Sequence, residues 1–212
     1  MVVAMFLAGS NDRWHWSEDA SPPLAFCVHA LVHDGLQVPP FDRHPEGDQT
    51  LRACGFDVET WSTWVSAVVA AQDQLSARVR DPDWLADRAE LATLAATASA
   101  PAALCPGTPE LQARLGELWV DYQPEGERWK WDMTSGPRSV RNRLAPHAQR
   151  WLWKALVPFH DRLPTISVFL VDYAAPVVVV VPPTTCLIAP ASASADYARQ
   201  VLAAAEQLAA AR

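Results

Sequence analysis

Lysine is almost missing from this chain: Lys130 and Lys154 stand against fifteen arginines. Alongside abundant alanine, that skew points to a GC-rich, bacterial coding sequence before it points to any activity. Glycine is sparse too, eight residues in 212, and the eight are dispersed. A phosphate-cradling loop needs its glycines clustered between a strand and a helix, so no such loop is written here. The serine-nucleophile pattern GxSxG and the zinc-hydrolase pattern HExxH are both absent. The four cysteines, Cys27, Cys54, Cys105 and Cys186, contain no CxxC pair and read as reduced core residues. No apolar run reaches the ~20 residues that span a bilayer. Met1–Ala8 is apolar but lacks the basic flank and length of a signal core, so it reads as a first buried strand. A cytoplasmic location is the expectation.

What is present is an ordinary globular composition, 50% apolar and 19% charged, with ten tryptophans. The most β-rich stretch is 165–190, TISVFLVDYAAPVVVVVPPTTCLIAP. Prolines split it into three runs, Ile166–Tyr173, Val177–Val181 and Thr185–Ala189, because proline cannot donate to a ladder. Five consecutive valines leave no polar face, which predicts a middle strand covered on both sides. The expected fold class is α+β: a helix-rich single domain around a small, mainly antiparallel sheet formed largely by residues 165–190. Met1–Ala8 is available to join that sheet. One globular domain over 1–212 is favoured, with 123–127 as the best candidate boundary.

Local signals predict most of the helices. Ser21-Pro22-Pro23 and Gly35 bracket a helix over Pro22–Asp34, which carries Leu24, Cys27, Val28 and Leu31 at helical spacing. Gln37–Gly47 must be a loop. Asp48 caps a short helix ending at Cys54-Gly55, and Asp57 caps a long one with the stripe Trp61, Val65, Val68, Leu75 and Val79. Further helices open at Asp81-Pro82 and at Thr108-Pro109. The second carries Leu111, Leu115, Leu118, Trp119 and Tyr122, with a Glu110–Arg114 pair expected outside. Residues 137–157 and the segment after Ser192 or Ser194 complete the set.

Three features bear on chemistry. The first is polar: His29 and His33 lie one helical turn apart, and Asp34, Asp42, His44, Glu46 and Asp48 follow closely. Paired imidazoles with nearby carboxylates can bind zinc or another divalent metal. The favoured reading of the same residues is structural, as caps (Asp34, Asp48) and loop-internal bonds (Asp42, His44), because an ordered proline-rich loop needs such bonds. The second is charge. Between Met133 and His160 there are five basic residues and no acid, in a chain of net charge −7. On a helix, Arg143, His147, Arg150 and Lys154 form a basic stripe beside Val140, Leu144, Ala148, Trp151 and Ala155. Such a face suits phosphate, an acidic partner surface or a membrane interface, or else pairs internally with the acidic first half; the acidic whole argues against nucleic acid. The third is three Trp-x-Trp triplets, at 14–16, 129–131 and 151–153, which as strands would place both rings on one face.

The sequence therefore leads to a non-catalytic interaction or regulatory module that binds a protein partner through Arg143, His147, Arg150 and Lys154. It nominates no catalytic residue and no cofactor. A metal-dependent hydrolase using His29, His33, Asp34, Asp42 and His44 is the alternative, and a divalent metal belongs to that reading alone.

Overall fold

The computed structural model describes residues 3–5, 15–80, 87–134, 146–159, 162–163, 165–190 and 194–211. Helices dominate, and the strands form one five-stranded sheet, so the chain is a helix-rich α+β protein. Its contacts divide it into two compact units, one of residues 1–21 with 127–212 and one of residues 22–126.

The sheet belongs to the first unit. Its strands are β1 (Val3–Met5), β2 (His15–Ala20), β3 (Thr165–Leu170), β4 (Val177–Val181) and β5 (Thr185–Ala189), ordered β1-β2-β3-β5-β4. The β1–β2 and β4–β5 pairs are antiparallel, whereas β2–β3 and β3–β5 are parallel. The sheet is thus mixed, not mainly antiparallel. One cause is the distant strand β2, which lies parallel to β3. The other is the path of 165–190: the chain leaves β3, runs out to form β4, then turns back through a three-residue loop. It lays β5 between β4 and β3. β1 is an edge strand, as the apolar start of the chain allowed.

The valine run behaves differently from its composition. β3 and β5 are the strands buried on both faces, with every described residue of Ile166–Val171 and Thr185–Ala189 buried. In β4 only Val177 is buried, and Val178–Val181 are half-exposed. The expected double cover fails because β4 is displaced to the edge. β2, HWSEDA, carried no β-rich pattern, yet it pairs along its whole length with β3. A long backbone ladder supplied by a distant strand overrides weak local preference.

Two helices of this unit are α6 (Pro146–Leu156) and α7 (Ser194–Ala210), numbered after five that precede them in the chain. α7 packs on β4, β5 and α6 through Tyr197, Val201, Ala204, Ala205 and Leu208, all fully buried, as the apolar spacing predicted. Gln200 ties it down by donating to the carbonyls of Val177 and Ala189 at 3.3 and 2.9 Å.

The second unit is organised on α1 (Pro22–Asp34), which forms at the expected bounds and is buried from Pro22 through Val28. Around it lie α2 (Thr50–Ala53), α3 (Val58–Arg80), α4 (Arg88–Ala98) and a 3-10 turn over Pro101–Leu104. α5 (Pro109–Thr134) belongs to this unit as far as Gly126. Asp57 caps α3 by accepting from Thr60 N at 2.8 Å, and Asp87 caps α4 through Glu90 N at 2.9 Å. Two buried indoles make α3 more than an apolar stripe. Trp61 Nε1 donates to Cys27 O at 2.9 Å and Trp64 Nε1 donates to Pro101 O at 2.7 Å, so neither ring buries an unpaired N–H. Phe26 completes the core against Trp64, Trp119 and Tyr122, with centroids 5.7, 5.1 and 5.6 Å away.

Several local expectations change. The stretch 123–126 is helical, and α5 runs through Pro124 without a break, although the division between the two compact units falls after Gly126. Trp129-Lys130-Trp131 lies in the same helix, where residues two apart point to different sides; Trp129 is buried and Trp131 exposed. A shared stacking face is therefore lost for that triplet. Arg114 pairs with Glu117 at 3.0 Å, not with Glu110. Val79, expected on the apolar stripe of α3, is exposed near its end. The helix start predicted at Asp81-Pro82 and the cap at Ser192 lie outside the described residues.

Candidate functional site

The basic helix is shorter in the described residues than the 137–157 expected. Residues 135–145 lie outside them, and with these Arg143, Val140 and Leu144. Within α6 the buried side is Ala148, Leu152 and Leu156, with Ala155 half-buried. Trp151, placed by the sequence on that side, is instead 46% exposed. The seam runs through 148, 152 and 156, an i, i+4 row, and this turns Trp151 out by about 100° from Leu152.

His147, Arg150 and Lys154 are all exposed. At spacings of three and four residues they share one side of the helix, with Trp151 beside them. Among the described residues none of the three makes an ion pair; the ion pairs found there lie elsewhere, at Asp34–Arg52, His33–Asp48, Arg78–Glu90, Arg114–Glu117 and Asp196–Arg199. Three cationic or protonatable groups and a half-open indole thus stand on one outward surface. Val157, just beyond the helix, adds 63% exposed apolar surface.

The His/Asp cluster is built by the return of the 36–47 loop onto the end of α1. Gly35 has φ +74°, which ends the helix, and Gly47 passes directly against it. A Cβ on Gly35 would stand 2.0 Å from Gly47 N, so the crossing requires glycine on both strands of the loop. Asp48 N then donates to His33 O at 3.2 Å, and this brings the Asp48 carboxylate to 3.5 Å from His33 Nδ1.

Asp34 is fully buried and faces the other way. Its Oδ1 accepts from Leu51 N and Arg52 N at 2.8 and 3.1 Å, capping α2, and its Oδ2 accepts from Arg52 Nε at 2.9 Å. Arg52 Nη2 also donates to Asp34 O at 2.9 Å, so one side chain holds both ends of the junction. His44 binds inside its own loop, with Nε2 2.9 Å from Phe41 O. Asp42 is exposed. His29 is half-buried, with its ring 4.6 Å from that of Tyr122 and 6.1 Å from that of His33. Burial lowers its pKa from the ordinary value, the neighbouring His33 adds to this, and Glu125 opposes it. The structure sets His33 beside both His29 and Asp48, while Asp34 caps α2, His44 bonds within its own loop and Asp42 is exposed. Among the described residues no three His, Cys, Asp or Glu side chains converge as a metal-holding group.

One surface was missed. An open cleft of about 470 Å³ lies between α2 and α5, lined by His33, Leu51, Cys54, Glu110, Arg114, Glu117 and Asp121 among others. Glu110, Arg114, Glu117 and Asp121 follow a four-three-four step, a readable helical face. What local spacing could not give is the partner wall: α2 is placed by the loop crossing and the Asp34 cap, and Thr108 Oγ1, just before α5, donates to Cys54 O at its end at 3.3 Å.

The chain matches no protein-family model, no curated protein and no solved structure. Among the described residues no helix is long and apolar enough to cross a membrane.

Proposed function

We propose that this protein is a non-catalytic interaction or regulatory module of the bacterial cytoplasm, and that the outward side of α6 takes an acidic segment of a protein partner. One observation carries this: His147, Arg150 and Lys154 stand exposed on one side of α6, unpaired among the described residues and flanked by the open Trp151 ring. The chain has 24 carboxylates, and among the described residues none of them reaches these three side chains. The potential of this face is left for another molecule. An acidic segment carrying an aromatic or branched residue would meet Arg150 and Lys154 with its charges and Trp151 with its apolar side chain. Arg143 extends the stripe by one further helical step in the sequence.

The test is the double reversal Arg150→Glu, Lys154→Glu. Exposed charges contribute less than ~1 kcal/mol each, so the melting temperature should hold. Binding of a labelled Glu-rich peptide containing one tryptophan should be lost, and wild-type binding should weaken as salt rises past ~0.1 M. A melting temperature lowered by several degrees would mean the face is internal glue, and the reading would fall. Metal analysis of the purified protein weighs the alternative of a hydrolase. Stoichiometric metal that is lost in a folded His33→Ala variant would move the function to the His29–His33–Asp48 corner.

A further inference from the structure

The side chains of β4 are exposed in an unusual pattern. In a strand with one wet face, burial alternates residue by residue. Val178, Val179, Val180 and Val181 are instead all half-exposed, so neither face of this edge strand is fully covered along its outer four residues. Among the described residues no strand pairs with the outer side of β4. Chains protect such edges with charge, proline within the strand, or a bulge. β4 has none of these, and its prolines, Pro176 and Pro182, stand just outside it.

The occupant is set by charge and by symmetry. From Tyr173 through Ala195 the sequence holds no Asp, Glu, Lys, Arg or His. In a chain of net charge −7, this stretch itself adds no charge that would repel a second copy. A two-fold interface must also be self-complementary. Five identical residues read the same in both directions, and an antiparallel pair of such strands sets valine against valine at every position.

We propose that β4 is a dimerisation edge, where two copies of this chain pair β4 to β4, antiparallel, with Val179 opposite Val179. The two-fold axis then stands perpendicular to the sheet and the two five-stranded sheets join into one of ten. Because that axis does not exchange the faces, the α7 helices of both copies lie on the same face. Pairing closes after one partner, since each copy spends the same edge. The proposal is independent of α6.

Sedimentation equilibrium over micromolar to submillimolar concentration tests it. Wild type should sediment at twice the 23.3 kDa chain mass, and Val179→Lys at the chain mass with an unchanged circular dichroism spectrum. Register is read by cysteine in a Cys54→Ser background, the other three cysteines being buried. Val179→Cys should cross-link to a covalent dimer under mild oxidation, because opposed Cβ atoms lie within disulfide reach. Val178→Cys should not, because it opposes Val180 of the twin. These two variants decide the matter should Val179→Lys fail to fold. A wild type that stays monomeric at the highest concentration overturns the proposal. So does a dimer indifferent to Val179→Lys, or a dimer in which the Val179→Cys variant does not cross-link.

Discussion

At the scale of single residues, Asp34 shows how one carboxylate can resemble a site and serve as a joint. Its position beside His33 suggested metal chemistry, but its oxygens are taken by two backbone N–H groups and a guanidinium. Removing it strands the α2 amides and leaves Arg52 without its partner. Asp34→Ala should cost about 3 kcal/mol, less than a fully buried pair because Arg52 is partly exposed. Urea unfolding should show the midpoint falling, and a loss well below ~1 kcal/mol would mean water replaces the carboxylate. His29 makes a pH prediction. Its pKa is depressed by burial and by His33, so on acidification the unfolded chain takes up the proton first. The stability it contributes is full above the ordinary value of 6.5 and is lost as pH falls through the lower folded value. Between pH about 7.5 and 5.5 the wild type should therefore lose stability, and His29→Gln should lose less over the same range. Parallel curves for the two proteins would remove His29 as the cause.

At the scale of elements, capping and turn signals act within one helical turn and are legible at α1 and α3. At α2, by contrast, the residue in the N-cap position is Gln49 and not the expected Asp48, and distant Asp34 accepts from Leu51 N and Arg52 N. α1 ends where Gly35 allows, and α3 begins after Asp57. Periodicity was less reliable wherever a helix had two candidate apolar rows. In α6, Ala148 belonged to both, and packing chose Leu152 and Leu156 over Trp151. Helix α5 conflicts with its own sequence at Pro124, which lacks an N–H to give Val120 O and crowds that carbonyl. Val120 is 66% exposed, so water can satisfy the oxygen, and the helix survives. The cost should still be recoverable: Pro124→Ala is expected to raise stability by about 1–3 kcal/mol, read as a higher urea midpoint. An unchanged or lower midpoint would show that the proline is favoured at this point for a reason other than helix formation.

At the scale of the whole molecule, the charge distribution distinguishes the two surfaces proposed above. Acidic residues prevail overall, α6 carries its cations outward, and β4 sits in a stretch without any ionisable side chain apart from Tyr173 and Cys186. The first suits an oppositely charged partner and the second a copy of the same chain. Raising salt should accordingly weaken peptide capture at α6 while leaving β4 pairing intact or stronger, because screening removes the net repulsion between copies. Composition and local pattern by themselves determined the helix-rich α+β class, the bounds of α1, the capped starts of α3 and α5, the three β-runs of 165–190 and the common side of His147, Arg150 and Lys154. Each of these depends on residues within a turn or two of one another. Only the tertiary structure decided that β2 is a strand, that β5 separates β4 from β3, that Asp34 caps a helix 17 residues away, and that Trp151 faces outward. Those outcomes rest on pairings between distant segments, where backbone ladders and competition for burial outweigh what any short window prefers.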